Sequence, residues 1–200
     1  MSHPTQATFD APIEVLDHFH DAMRRHACAL CGIADACEAP GFPSPAERRA
    51  ALEIVRCFDE AAFQHHRDEE EDLFPALVHV VPSGELNAVR ALVFRLRRDH
   101  RRLEALWAPL SRMVSAIAQG HRVPLVPAHA AEFAVALERH LAYEDAHLLP
   151  LARRVMDSRV AQHMGARMAR RRAQPPHPAE ARDEDYPGLP STRARVSSGQ

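Results

Sequence analysis

His65-His66-Arg67-Asp68-Glu69-Glu70-Glu71-Asp72-Leu73-Phe74-Pro75 brings two imidazoles and five carboxylates into eleven residues. His66 and Glu70 stand four apart, as do His65 and Glu69. In a helix that spacing sets both side chains on one face, one turn apart. The same His-x-x-x-Glu spacing returns at His100/Glu104 and His140/Glu144. Fourteen histidines in this chain give roughly one such pair by chance, so a pair in each of three separate segments is a pattern.

Each pair lies on an apolar stripe. Val55, Ala62, Phe63, Leu73 and Leu77 share the face of His66 and Glu70. Val93, Leu96, Leu103 and Trp107 share that of His100 and Glu104, while Phe133, Leu137, Leu148 and Leu151 share that of His140 and Glu144. His20 joins Ile13, Leu16, Met23 and Ala27 at helical steps in an earlier segment. His18, on a face with Glu14 and Asp21, is the weaker alternative to His20. Imidazoles and carboxylates therefore point into the interior of a helical assembly.

The periodic segments run from about Pro12 to Cys37, from a Ser44-Pro45-Ala46-Glu47 capping box to about His79, from about Gly84 to Gln119, and from just after Val123-Pro124-Leu125-Val126-Pro127 to about Met156. Ala39-Pro40-Gly41-Phe42-Pro43 and Val81-Pro82-Ser83-Gly84 break the chain, and Gly120 reads as a C-cap. Asp157 caps a shorter fifth helix through about Arg172. No sustained period-two alternation marks a strand. The expectation is all-α: an up-down-up-down four-helix bundle over 9–172, with a short fifth helix and a disordered tail at 173–200. Pro75, Pro109 and Pro150 should bend or end their helices locally.

Composition narrows the function classes. A chain of 200 residues with 46% hydrophobic content supports one sizeable core. A formal net charge of −2 and no groove-entering motif argue against nucleic-acid binding. The polar first ten residues do not resemble a signal peptide, and no apolar run approaches a membrane span, so a cytoplasmic protein is expected. Four cysteines fit a reduced compartment, with Cys28 and Cys31 expected to pack as small apolar groups. Glu71 and Asp72 read as surface charge, Arg97-Arg98 and Arg170-Arg171-Arg172 as solvated faces, and His65/Glu69 as an outer pair.

Unpaired inward carboxylates cost several kcal/mol each, against a typical domain stability of about 5–15 kcal/mol. Bound cations resolve that conflict. Mixed imidazole and carboxylate donors suit iron or manganese, and their number exceeds what one tetrahedral zinc takes.

His20, the stretch from His66 to Pro75, Asp99-His100-Arg101-Arg102-Leu103-Glu104 and His140-Leu141-Ala142-Tyr143-Glu144-Asp145 together resemble the hemerythrin-like HHE cation-binding pattern, over about Phe9 to Arg172. The resemblance implies a four-helix bundle holding two non-haem irons bridged by carboxylates. Carried onto this chain, it implies His20, His66, Glu70 as a bridge, His100 and His140 as metal ligands. It also implies an acidic bridge five residues after His140, which is Asp145, whereas helical geometry favours Glu144; both stay as candidates. Oxygen-carrying members have a second histidine where this chain has Glu104. An additional anionic donor there argues for reactivity with dioxygen, peroxide or nitric oxide, or for sensing, rather than oxygen transport. Catalytic residues and the protein's partners are not assignable from the residues. The rival readings are a non-catalytic iron or redox sensor and a metal-free helical adaptor.

Overall fold

The computed structural model describes residues 9–37 and 41–173, so the expected disordered tail lies almost wholly outside the described residues. Five helices account for the fold, with no strand among the described residues. They are α1 (Pro12–Ala36), α2 (45–80), α3 (Leu86–Ala118), α4 (127–155) and α5 (Ser158–Ala173). α1 lies against α2 and α4, and α3 against the same two, which closes the four-helix ring; α5 docks on α1 and on the middle of α2.

The ends follow their local chemistry. Ser44 Oγ accepts from the Glu47 amide at 3.3 Å while Glu47 Oε2 accepts from the Ser44 amide at 2.6 Å, the reciprocal capping box. Gly120 turns the chain out of α3 at φ 90°; its amide bonds the Ile117 carbonyl and the next amide, that of His121, bonds Ala116. Asp157 Oδ1 accepts from the Val160 amide at 2.8 Å and starts α5.

α2 and α4 are not uniform. π-helical turns occupy Arg56–Ala61 and Glu69–Leu73 in α2 and Glu144–Leu148 in α4. They close with bonds reaching back five residues: Ala62 to Cys57, Phe74 to Glu69 and Leu149 to Glu144. Pro75 and Pro150 follow directly, at the second position of the renewed α-helix. The wide turn relieves the clash and the lost bond that each proline imposes on a straight helix. α3 carries Pro109 on its exposed side without a break.

Each π turn rotates the register, and on α2 this changes which residues face inward. The buried line runs through Ile54, Phe58, Ala62, His65, His66, Glu69, Leu73 and Leu77. Val55 is half-buried and Phe63 lies at the surface, against the straight-helix expectation.

The core is two apolar clusters with a polar layer between them. One contains Met23, Phe58, Ala62, Leu103, Trp107 and Leu141; the other contains Leu16, Leu73, Phe74, Leu96, Leu148 and Met164. His20 falls between Leu16 and Met23, His65 to Glu69 between Ala62 and Leu73, His100 between Leu96 and Leu103, and Glu144 between Leu141 and Leu148. The four helices thus deliver their His/Glu positions to one level of the bundle, closed by apolar packing at both ends.

Two expectations about charge are corrected. Arg171 is half-buried, with its side chain only 8% exposed, rather than solvated, and Asp72 is buried rather than superficial. Arg171 bonds Asp68 at 3.0 Å, Glu71 at 2.9 Å and Asp72; Arg172 bonds Asp68 at 2.6 Å; Arg167 also pairs with Asp72. The arginines of α5 are recruited by the acidic turn of α2, which supplies the partners that a buried guanidinium needs. Cys28 is exposed and Cys31 half-buried, and all four cysteines are free.

The close approach of α5 to the chain start yields a prediction. A Cβ on Gly165 would lie 1.9 Å from the Phe9 carbonyl oxygen, which is backbone and cannot swing aside. Gly165→Ala gains helix propensity of about 1 kcal/mol but is overpacked, a fault that typically costs about 1–3 kcal/mol. The expected outcome is a lowered Tm by calorimetry; a raised Tm would show that α5 does not sit against Phe9.

Candidate metal centre

Seven side chains meet in the polar layer in two groups. His20, His65, Glu69 and Glu144 form one; His66, His100 and His140 form the other. Within each group the candidate donor atoms all lie within 4.8 Å of one another, and every member is buried. His66 stacks on His100 with ring centroids 3.9 Å apart, and His140 meets His100 edge-on at 4.9 Å.

The two carboxylates join the groups. Glu144 Oε2 is 3.3 Å from His20 Nε2, while its Oε1 is 3.3 Å from His140 Nε2 and 3.7 Å from His100 Nε2. Glu69 Oε1 is 3.5 Å from His65 Nε2, and its Oε2 is 3.3 Å from His100 Nε2. Each carboxylate turns one oxygen to each group of imidazoles.

Few of these contacts are hydrogen bonds. Both oxygens of Glu69 and of Glu144, both ring nitrogens of His140, Nδ1 of His65 and Nε2 of His66 and His100 are buried without a hydrogen-bond partner among the described residues. His20 Nε2 and His65 Nε2 face each other at 3.3 Å. So many orphaned acceptors at one level are costly unless something shares their lone pairs. The donor set is of the kind that holds cations: the imidazoles gather in two groups and two carboxylates span them.

The protonation balance of the bare centre shows the same conflict. Burial, reinforced by the neighbouring Glu144 charge, pushes the Glu69 carboxyl up to about 8. Burial acts on Glu144 in the same sense, but the imidazoles of His140, His100 and His20 outweigh it and hold that carboxyl well below its ordinary range. Burial disfavours the charge on His20, yet Glu144 and Asp145 prevail and raise it to about 9. Burial brings His140 down to about 4 and also depresses His65 and His66. Protons are crowded onto some groups and off others where cations would neutralise all of them.

Of the residues expected from the sequence, His20, His66, His100, His140 and Glu144 are brought together. Glu70 and Glu104 are in no converging group, and Asp145 joins only a third, more exposed group with His20 and Asp17. Glu70 lies outside, about one-third exposed, with Oε1 on His100 Nδ1 at 2.7 Å. Asp145 is likewise about one-third exposed, with Oδ1 on His20 Nδ1 at 2.6 Å. Glu104 is exposed on α3, which has no π turn to bring it round. His65 and Glu69, expected as an outer pair, are fully buried in the layer. Their signal was present in the sequence as a second His-x-x-x-Glu pair; the π turns that choose it over its neighbour were not.

A cavity of about 90 Å³ adjoins the centre, with His66 in its wall. Met23, Phe58, Leu103, Trp107 and Phe133 make the wall apolar, and Glu104 stands at its edge. Trp107 Nε1 and Ser111 Oγ donate to Asp59 at 2.6 and 2.9 Å, which fixes the indole at the side of this space.

Residues 11–152 match the family model described as the hemerythrin HHE cation binding domain. The chain is also 29% identical, over 166 residues, to an uncharacterized protein of Haemophilus influenzae, covering 83% of this chain and 92% of that protein. No helix among the described residues is long and apolar enough to cross a membrane. With the family model spanning all four bundle helices and the buried His/Glu clusters at their common level, the chain belongs to the hemerythrin HHE cation-binding family.

Proposed function

We propose that the chain is a non-haem diiron protein that reacts with, or senses, dioxygen, peroxide or nitric oxide. The observation that carries this reading is the pair of buried carboxylates, Glu69 and Glu144, each turning one oxygen to each imidazole group. His20 and His65 would hold one ion and His66, His100 and His140 the other, with the carboxylates shared. Nitrogen and oxygen donors without thiolate favour iron over softer ions. The ions would supply electrons to, or polarise, a small oxygen or nitrogen species.

The chain's own contribution is enclosure. Apolar clusters above and below exclude water from the layer, and the cavity beside His66 is large enough for a diatomic molecule or peroxide. With Glu104 on the surface, the anionic donors of the centre are Glu69 and Glu144. Iron(II)-loaded protein mixed anaerobically with nitric oxide, or aerobically with dioxygen and peroxide, is expected to change its near-ultraviolet and visible absorption without full return on evacuation. Full, repeated return would identify a carrier, and an unchanged spectrum with all three would refute the reading.

The sensing alternative draws on the α5 contact. Arg171 and Arg172 grip Asp68, the neighbour of Glu69, so emptying the centre and loosening α5 are structurally adjacent events. A sensor shows metal-dependent helix content with no turnover.

A further inference from the structure

Two histidines of the centre differ from the others in what stands behind them. His20 Nδ1 meets Asp145 Oδ1 at 2.6 Å, and His100 Nδ1 meets Glu70 Oε1 at 2.7 Å. Both rings turn Nε2 toward the shared carboxylates, His20 at 3.3 Å from Glu144 and His100 at 3.3 Å from Glu69. An arginine stands behind each outer carboxylate. Arg24 Nη2 bonds Asp145 Oδ2 at 2.6 Å; Arg97 Nε lies 3.6 Å from Glu70 Oε2 and its Nη2 donates to the Glu70 carbonyl at 3.3 Å. Nδ1 of His65 and of His140, by contrast, is buried with no hydrogen-bond partner among the described residues.

The arrangement repeats with the chain's own symmetry. Glu69-Glu70 opens the π turn Glu69–Leu73, and Glu144-Asp145 opens the π turn Glu144–Leu148. In each pair the first acid points between the cation groups. The second reaches the back of a histidine on a neighbouring helix: Glu70 on α2 to His100 on α3, and Asp145 on α4 to His20 on α1.

We propose that Glu70 and Asp145 are matched positioning residues, one for each cation, that set the tautomer and donor strength of His100 and His20. This rests on the two-cation reading above. A carboxylate accepting from Nδ1–H leaves the Nε2 lone pair free for a cation, fixes the ring plane and makes the imidazole a stronger donor. His20 belongs to one group and His100 to the other, so both ions are held more tightly and both favour the more highly charged state. Arg24 and Arg97 keep the outer carboxylates aimed.

The test uses the full chain with Glu70→Gln and Asp145→Asn, and Glu132→Gln as an equal charge change on the exposed face of α4. Each is loaded anaerobically with iron(II). The release rate into excess chelator and the midpoint potential are then measured. Loss of such an outer partner typically costs about 10–100-fold in metal affinity. The expected result is release faster by roughly that factor for Glu70→Gln and for Asp145→Asn, with potentials moved positive, and neither change in Glu132→Gln. Lowered thermal stability with unchanged release and potential would reduce both residues to structural supports and overturn the proposal. If Asp145→Asn folds but takes up no iron, Asp145→Glu, which restores the charge, is expected to recover uptake; failure to do so overturns it. A wild-type chain that takes up no iron at all refutes the two-cation reading itself, a different outcome from loaded wild type with unaltered variants.

Discussion

Glu144→Gln is expected to empty the centre, taking the metal content of the chain below one ion. Its oxygens face His20 on one side and His140 and His100 on the other, so the substitution removes an anionic donor from both groups at once. An amide of the same shape keeps the packing but cannot supply the negative charge that offsets two buried cations. Glu69→Gln is expected to act in the same direction and to separate metal binding from folding. Burial and Glu144 push the Glu69 carboxyl up to about 8, so in metal-free protein at pH 7 it is already mostly neutral and the amide imitates it. Metal content should therefore fall while the Tm measured in chelator stays at the wild-type value. Removal of a single-group ligand, as in His65→Ala, is expected to release one ion rather than both. Glu104→Gln should leave the content unchanged. Wild-type metal in Glu144→Gln would mean that the two groups do not share this carboxylate.

The largest effect on stability is expected at Asp68. Its carboxylate is fully buried and bonded to Arg171 and Arg172, and Arg171 is itself nearly buried. Truncating Asp68 strips Arg172 of its carboxylate partner and Arg171 of one of three, a loss that in a buried network costs about 3–5 kcal/mol. For a domain of this size each kcal/mol moves Tm by about 2–4 °C, so Asp68→Ala should melt roughly 6–20 °C lower. Arg170, exposed between these residues and the rest of α5, is the control: Arg170→Ala should change stability by no more than about 0.5 kcal/mol. Calorimetry of both variants in chelator checks this without interference from metal. Equal Tm values for the two would show that α5 is not latched to α2.

The bundle was legible because its signals are local. Apolar stripes at three- and four-residue steps, the Ser44 capping box, Gly120 and Asp157 each state a helix or its end without reference to the rest of the fold. The level of the centre was legible too, because His20, His100, His140 and Glu144 each sit on a stripe that a regular α-helix carries inward. What the sequence hid is register across the π turns. A straight helix through Val55 and Leu77 selects His66 and Glu70. The inserted turns instead bury His65, His66 and Glu69 and move Glu70 behind His100. The same turn in α4 carries Glu144 into the buried layer and sets Asp145 on His20 from outside, where the sequence left a choice between them. Pro75 and Pro150 mark these places, but proline alone signals a bend and not its kind. The Arg171 latch could not be read at all, since its partners lie some hundred residues earlier and only tertiary docking unites them.

Metal content is the most direct test of the two-cation centre. The 200-residue chain, purified without chelator from iron-replete cells, is analysed by mass spectrometry for all first-row transition metals, with protein measured by amino-acid analysis. The two groups of donors and their shared carboxylates predict two ions per chain, predominantly iron. A chain that carries no metal, or a single zinc that iron does not displace, would contradict the account.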